Sequence, residues 1–220
     1  MTVSTVKKFI AGQLENNMYL VMDERTKKAV LIDASSNIPE IAQTVKELGA
    51  DVEYILLTHG HFDHIMGLNS LKQTLNAQAV IHKDDLVISD NINEFTRLFG
   101  LPDSNAPSYD LYIKDGDIIP VGDMKIKVIH TPGHTEGGVC YLIDDKLFSG
   151  DTLFRESVGR TDLFGGSFEK LSDSIKNKLF KLNDKITVFP GHGPITTIGY
   201  EKKHNENFGK FGNASFQKHR

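Results

Sequence analysis

Short apolar-rich runs at about 6–10, 17–23 and 28–33 open the chain, with a Lys27-Lys28 turn region between the last two. They predict paired β-strands. Beyond them, Ile41, Val45 and Leu48 recur at spacings of four and three behind Asn37 and Ile38-Pro39-Glu40, which predicts a helix over 38–48 capped by Asn37. A strand at 53–57 and a helix over 63–75 follow, the helix with Ile65, Leu68, Leu71 and Leu75 inward. Residues 79–81 predict a strand, with a helical stretch after it and an irregular Pro/Asp/Ser-rich stretch at 100–116. The second half repeats the pattern, with strands at 118–129, 139–143 and 146–149, a helix at 167–182, a strand at 186–189 and a helix at 195–203. Two βα halves with antiparallel pieces suit a sandwich of two sheets under outer helices. No stretch reads as a linker. One domain over 1–204 is therefore expected, with the polar segment 205–220, which carries Phe208, Phe211 and Phe216, as a tail packed on it.

Composition narrows the class. The chain has 220 residues, 39% hydrophobic and 25% charged, enough for one large core and ordinary for a water-soluble domain. A net charge of −4 leaves no basic stripe for a nucleic-acid backbone. No run approaches the ~20 apolar residues of a membrane span, and the N-terminus lacks the apolar core of a secretory signal. Cys140 is the only cysteine, so no disulfide framework exists, and it reads as a small buried hydrophobe. These features together predict a cytoplasmic protein that binds neither nucleic acid nor membrane. They leave the oligomeric state open.

The chemistry is concentrated at strand ends. Thr58-His59-Gly60-His61-Phe62-Asp63-His64 follows an apolar strand and puts three imidazoles and a carboxylate within six residues, the donor types of catalytic zinc, iron and manganese. In extended backbone His59 and His61 share a side and can reach one ion, while Asp63 and His64 turn away toward a second. Three further strands end in His130-Thr131-Pro132-Gly133-His134, Ser149-Gly150-Asp151 and Pro190-Gly191-His192-Gly193-Pro194. Glycine and proline turn the chain sharply there and hold a side chain at the sheet rim. His130 reads as a buried hydrogen-bonding neighbour of His134. His82, His204 and His219 lie among charged or polar residues and are expected at the surface.

With these motifs the chain resembles the metallo-β-lactamase superfamily, and within it the glyoxalase II-like hydrolases. The matching pieces are THGHFDH at 58–64, TPGHT at 131–135, SGDTLF at 149–154 and PGHGP at 190–194. The resemblance implies an α+β fold, a four-layer αββα sandwich, with two divalent metal ions at one edge of the sheets. Zinc is the expected ion, with iron and manganese as the alternatives. Carried over position by position, it assigns His59, His61 and His134 to the first ion and Asp63, His64 and His192 to the second. Asp151 would bridge both. The β-lactamases of this superfamily place cysteine where Asp151 stands, which points away from antibiotic hydrolysis. The oxygen-reducing members with a flavin partner carry glutamate where His61 stands, which points away from that branch too.

The resemblance implies a thioesterase acting on hydroxyacylglutathione-like small-molecule substrates. In such a site, metal lowers the pKa of water from 15.7 to roughly 7, and a hydroxide bridging two ions attacks the thioester carbonyl, with Asp63 orienting it. Arg160 falls where glyoxalase II carries a basic residue for the glutathione moiety. It reads equally as a substrate-binding fork or as an ion pair with Asp162. The family's helical glutathione-binding domain is not expected here, since only 28 residues follow His192. Two alternatives stand beside this reading. One is an iron persulfide dioxygenase that uses the equivalents of His59, His134 and Asp151 only. The other is a binding module whose metal is structural. The 83–116 stretch, with Phe95, Phe99, Tyr109 and Tyr112, reads either as a wall of the pocket or as core packing.

Overall fold

A computed structural model describes residues 3–98, 100 and 104–208. Six strands form the first sheet in sequence order: β1 (Ser4–Ala11), β2 (Asn16–Asp23), β3 (Lys28–Ile32), β4 (Asp51–Leu56), β5 (Gln78–His82) and β6 (Leu111–Ile113). The first three are antiparallel, and β3 to β6 run parallel. The parallel connections carry the helices α1 (Pro39–Leu48), α2 (Phe62–Ile65), α3 (Leu68–Leu75), α4 (Leu86–Asp90) and α5 (Ile92–Leu98). The second half supplies β7 (Ile118–Val121), β8 (Met124–His130), β9 (Val139–Ile143), β10 (Lys146–Gly150), β13 (Thr187–Pro190) and β14 (Thr196–Thr197). They form a second sheet in the order β14-β13-β10-β9-β8-β7. A small hairpin of β11 (Leu153–Phe154) and β12 (Ser157–Val158) precedes helices α6 (Phe168–Asn177) and α7 (Ile198–His204).

Strand periodicity divides the core into layers. In β2 every residue is buried. Tyr19 and Val21 face the second sheet with Val30, Ile32, Leu56, Val128, Tyr141 and Phe148, while Met18, Leu20 and Met22 pack on the other face with Ile41, Leu68 and Leu71 of α1 and α3. A third cluster sets Cys140, Leu147 and Val188 against Leu171, Ile175 and Ile198 of α6 and α7. The result is the expected αββα sandwich. Tyrosine hydroxyls stitch the two sheets where they meet the strand ends. Tyr141 donates to Leu57 O at 2.7 Å, and Tyr19 donates to Pro190 O at 2.8 Å, so neither buried hydroxyl is left unpaired.

Several boundaries differ from expectation. Asn37 does not cap α1, because its amide donates to Ser70 Oγ and Thr74 Oγ1 of α3; Ile38 holds the cap position and Pro39 starts the helix. The helix expected over 63–75 is broken at Met66-Gly67, where Gly67 N donates to Ala34 O at 2.8 Å instead of continuing the helical ladder. The strand expected over 118–129 is a hairpin that turns at Gly122-Asp123. The helix expected over 167–182 ends at Asn177 and continues only as a 3-10 turn, and residues 196–197 form strand β14 before α7. Residues 111–113 of the stretch expected to be irregular form β6. Phe208 packs on Phe180 in the third cluster, with ring centroids 5.6 Å apart, while Phe211 and Phe216 lie outside the described residues.

One buried carboxylate joins two turns far from the strand-end cluster. Asp23 accepts from Arg25 N (2.9 Å), Thr26 Oγ1 (2.8 Å) and, from the β7–β8 turn, Asp123 N (2.6 Å). Burial pushes its pKa up, but the Asp123 amide, the Thr26 hydroxyl and the other backbone donors outweigh that and hold it below the usual carboxylate value. A depressed acid contributes stability above its unfolded pKa and loses it as pH falls through the folded one. Asp23→Ala should cost about 1–3 kcal/mol at pH 7. In urea titrations the gap to wild type should close as pH drops below about 4. A gap constant from pH 7 to pH 3 would show that the carboxylate charge plays no part.

Candidate metal centre

Four strands, β4, β8, β10 and β13, deliver their C-terminal ends to one rim, the place where sheets containing parallel strands collect ligands. His59 leaves β4, and His61 is the N-cap of the single-turn helix that carries Asp63 and His64. His134 follows β8, Asp151 follows β10 and His192 follows β13. The structure brings all seven together. His59, His61 and His134 offer ligand atoms within 4.8 Å of one another, and so do Asp63, His64 and His192. Asp151 stands between the two groups, 3.3 Å from His64 Nε2 and 3.6 Å from both His134 Nε2 and His192 Nε2.

Four of the five imidazoles are aimed from behind. A carbonyl can only accept, so His192 Nδ1 donates to Leu14 O (3.0 Å) and His134 Nδ1 to Arg160 O (2.7 Å), which leaves both Nε2 atoms facing the cleft. His64 Nδ1 lies 2.9 Å from Asp33 Oδ2. The same carboxylate accepts from the Thr58 amide and hydroxyl, and that hydroxyl lies 3.0 Å from His59 Nδ1. Asp33 itself sits at φ +62. His61 turns the other way, with Nδ1 2.9 Å from His134 Nε2. Histidines with one nitrogen tied to an oxygen and the other turned inward are the arrangement of a metal site.

The donor set passes a direct test of fit. His59 Nε2 is buried and has no hydrogen-bond partner. An orphaned buried nitrogen costs about 1–3 kcal/mol, and a cation with a preference for nitrogen would remove that cost. Burial, helped by the neighbouring imidazoles, holds His59 neutral well below the ordinary histidine pKa. Burial and His134 likewise bring His61 down to about 3. Burial would also lower His64, yet Asp151, Asp33 and Asp63 around it win and raise it. Burial would raise Asp63 and Asp151, and His64 beside them holds both down as carboxylates. Neutral His59 and His61 beside ionised Asp63 and Asp151 are the protonation states that ligation requires, whereas His64 and His192, both raised with the help of the neighbouring carboxylates, would give up a proton as an ion binds.

A cleft of about 140 Å³ opens over the cluster, walled by Leu14, Phe62, Leu163 and Arg160. The Arg160 guanidinium is clasped by Asp162 through Nε (2.7 Å) and Nη2 (2.8 Å) at the exposed rim. The ion pair thus exists, and the residue lines the cleft as well. Tyr109 packs in the first core and Tyr112 is 58% exposed, so neither walls the cleft. The side chain of Phe95, and Phe99 altogether, lie outside the described residues.

Sequence reasoning missed the supporting residues. Asp33 ends the β3 run and carries the same strand-end signal as Asp151. Asn16, fully buried, donates through Nδ2 to Asp63 Oδ2 at 2.9 Å, and nothing in its local sequence marked it. Asp85 lies in a charged turn and was not singled out, but it is fully buried; burial raises its pKa against the bonds it accepts from Thr135, Gly137 and Gly60. His82 is also corrected, since it is only 5% exposed and stacks on His130 at 4.4 Å with planes 7° apart. His82, Asp84 and His130 cluster, but parallel rings cannot turn their lone pairs on one point, and His130 Nε2 donates to Glu136 O. His204 is exposed, and His219 lies outside the described residues.

Known proteins fit this geometry. Residues 11–192 match the Metallo-beta-lactamase superfamily. Hydroxyacylglutathione hydrolase GloC of Haemophilus influenzae is 35% identical over 195 residues, 87% of this chain and 92% of that protein. Among solved structures, the BLEG-1 B3 metallo-beta-lactamase superposes with a TM-score of 0.85 at 35% identity, covering 91% of this chain and 98% of its own. TTHA1623, solved in a di-iron-bound form, superposes with a TM-score of 0.82 at 34% identity and the same coverage. No helix among the described residues is long and apolar enough to cross a membrane. A match of this breadth, on a rim that carries the histidine and aspartate motifs in their expected order, makes this chain a member of the metallo-β-lactamase superfamily.

Proposed function

We propose that the protein is a dinuclear metal-dependent hydrolase whose substrates are thioesters of the hydroxyacylglutathione kind, with zinc in both positions. The observation that carries this reading is the pair of three-residue groups on either side of Asp151. A persulfide dioxygenase would need only His59, His134 and Asp151, and would leave His61 and the Asp63–His64–His192 group without a task. The likeness to GloC supports a thioester, and the di-iron form of TTHA1623 supports two ions. Bound divalent ions lower the pKa of water to about 7 and take up the charge of the leaving group.

The chain's own residues supply the rest. Asp63, fixed by Asn16, presents Oδ2 to the cleft 3.4 Å from His192 Nε2, where it can accept a hydrogen bond from an attacking water and orient it. Leu14, Phe62 and Leu163 keep bulk water from the acyl group. Arg160 uses Nε and Nη2 on Asp162, so Nη1 remains to meet an anionic group of the thiol carrier at the rim.

The test is metal analysis of the zinc-supplemented protein beside three assays: thiol release from S-lactoylglutathione, oxygen uptake with glutathione persulfide, and hydrolysis of a β-lactam, included because of the likeness to BLEG-1. Two ions per chain and thiol release are expected. One ion with oxygen uptake would establish the dioxygenase, and thioester binding without turnover would establish a binding module.

A further inference from the structure

Between the two metal-facing turns lies a carboxylate that touches no part of the cleft. Asp85 is fully buried at the end of the 3-10 turn after β5, just before α4. Its Oδ2 accepts from Gly60 N and Thr135 Oγ1, both at 2.8 Å, and its Oδ1 accepts from Gly137 N at 2.6 Å. Gly60 is the residue between His59 and His61, while Thr135 and Gly137 follow His134. The packing is as close as the bonding, since a Cβ on Gly137 would stand 2.6 Å from Asp85 N. The other half of the cluster hangs on different groups: His64 on Asp33, Asp63 on Asn16, and His192 on the Leu14 carbonyl.

We propose that Asp85 is a positioning residue that locks the turns of His59, His61 and His134 into one unit, so that metal binding by the three-histidine half depends on it and binding by the Asp63–His64–His192 half does not. The proposal rests on the two-ion reading above. Three donors converge on two carboxylate oxygens, and no neutral isostere can serve them all. In Asp85→Asn the amide NH₂ must face either the Gly60 or the Gly137 N–H, and that backbone donor loses its acceptor in a dry site. The turn then shifts to find another partner, and the imidazoles it carries move with it. Groups that orient metal ligands typically change affinity by 10–100-fold when altered.

The experiment isolates the halves and reads zinc affinity by competition with a chromophoric chelator, with no reference to turnover. In a His192→Ala background, which leaves the three-histidine half, Asp85→Asn should weaken the remaining ion about 10–100-fold. In a His61→Ala background it should change the remaining ion less than about twofold. Thr135→Val, which removes one of the three bonds, should weaken the three-histidine half by a smaller factor, and Thr135→Ser should restore it. Thr135→Val decides the matter if Asp85→Asn does not fold. Equal losses in both backgrounds, or unchanged affinity with a lowered melting temperature, would overturn the proposal and leave Asp85 a structural residue. A wild type that binds one ion would defeat the two-ion reading by itself, and Asp85 would then be decided by whether Asp85→Asn weakens that ion in the background that still holds it.

Discussion

Asp151→Ala should lose both ions and essentially all turnover while the fold survives. Asp151 faces His64, His134 and His192 at 3.3 to 3.6 Å, so its carboxylate reaches imidazoles of both halves. Burial works against its charge, and His64 chiefly restores it, which keeps the group ionised at neutral pH. Removal leaves Asp63 and Asp33 as the carboxylates in contact with the cluster, against five imidazoles and the charge of two incoming cations. The loss in kcat/KM should be on the order of 10³-fold or more, the scale seen when a group acting on developing charge is removed. Metal per chain, measured after supplementation and gel filtration, should fall from two to near zero with an unchanged far-UV circular dichroism spectrum. Retention of one tightly bound ion would mean that the halves are independent and that Asp151 belongs to only one of them.

The strand-end rule explains why so much of this centre was legible. Residues that leave a sheet at a Gly- or Pro-bearing turn have little choice of direction, so His59, His134, Asp151 and His192 could be placed on one rim from sequence alone. The strand at 17–23 was legible too, and in the structure its alternation puts Tyr19 and Val21 on the opposite face from Met18, Leu20 and Met22. What stayed hidden depends on long-range contact. Asn16 acquires its role only because β2 lies beside the turn after β13, where Asn17 N donates to Gly191 O. Asp85 looks like any charged turn residue until the turns at 60 and 135–137 close over it. The helix over 63–75 was missed as two pieces for the same reason, because Gly67 bonds to Ala34 across the chain and no local propensity records that. Arg160 combines the ion pair with a place on the cleft wall, which are compatible for a side chain of that length.

The close approach at Gly191 carries the second large effect. A Cβ there would stand 2.3 Å from Asp151 Oδ1 and 2.8 Å from His64 Cε1, with the backbone of Gly150 behind at 3.1 Å. The methyl of Gly191→Ala cannot retreat toward Gly150, so Asp151 and His64 must give way, and both are ligands in the reading above. Overpacking of this kind costs about 1–3 kcal/mol of stability. Displacement of a catalytic group by ~1 Å can cost about 10²-fold in rate. Gly191→Ala should therefore remain folded, bind zinc at least about tenfold more weakly, and fall about 10²-fold or more in kcat/KM. Gly193→Ala is the control two residues away. Its φ is +73 but nothing lies within 4 Å of its Cβ, so it should pay the backbone strain of about 1 kcal/mol and keep its metal. The comparison rests on isothermal zinc titration and thermal unfolding of both variants. Equal metal affinity in the two would show that the cleft relaxes around a methyl group and that the positions of Asp151 and His64 are less constrained than the packing indicates.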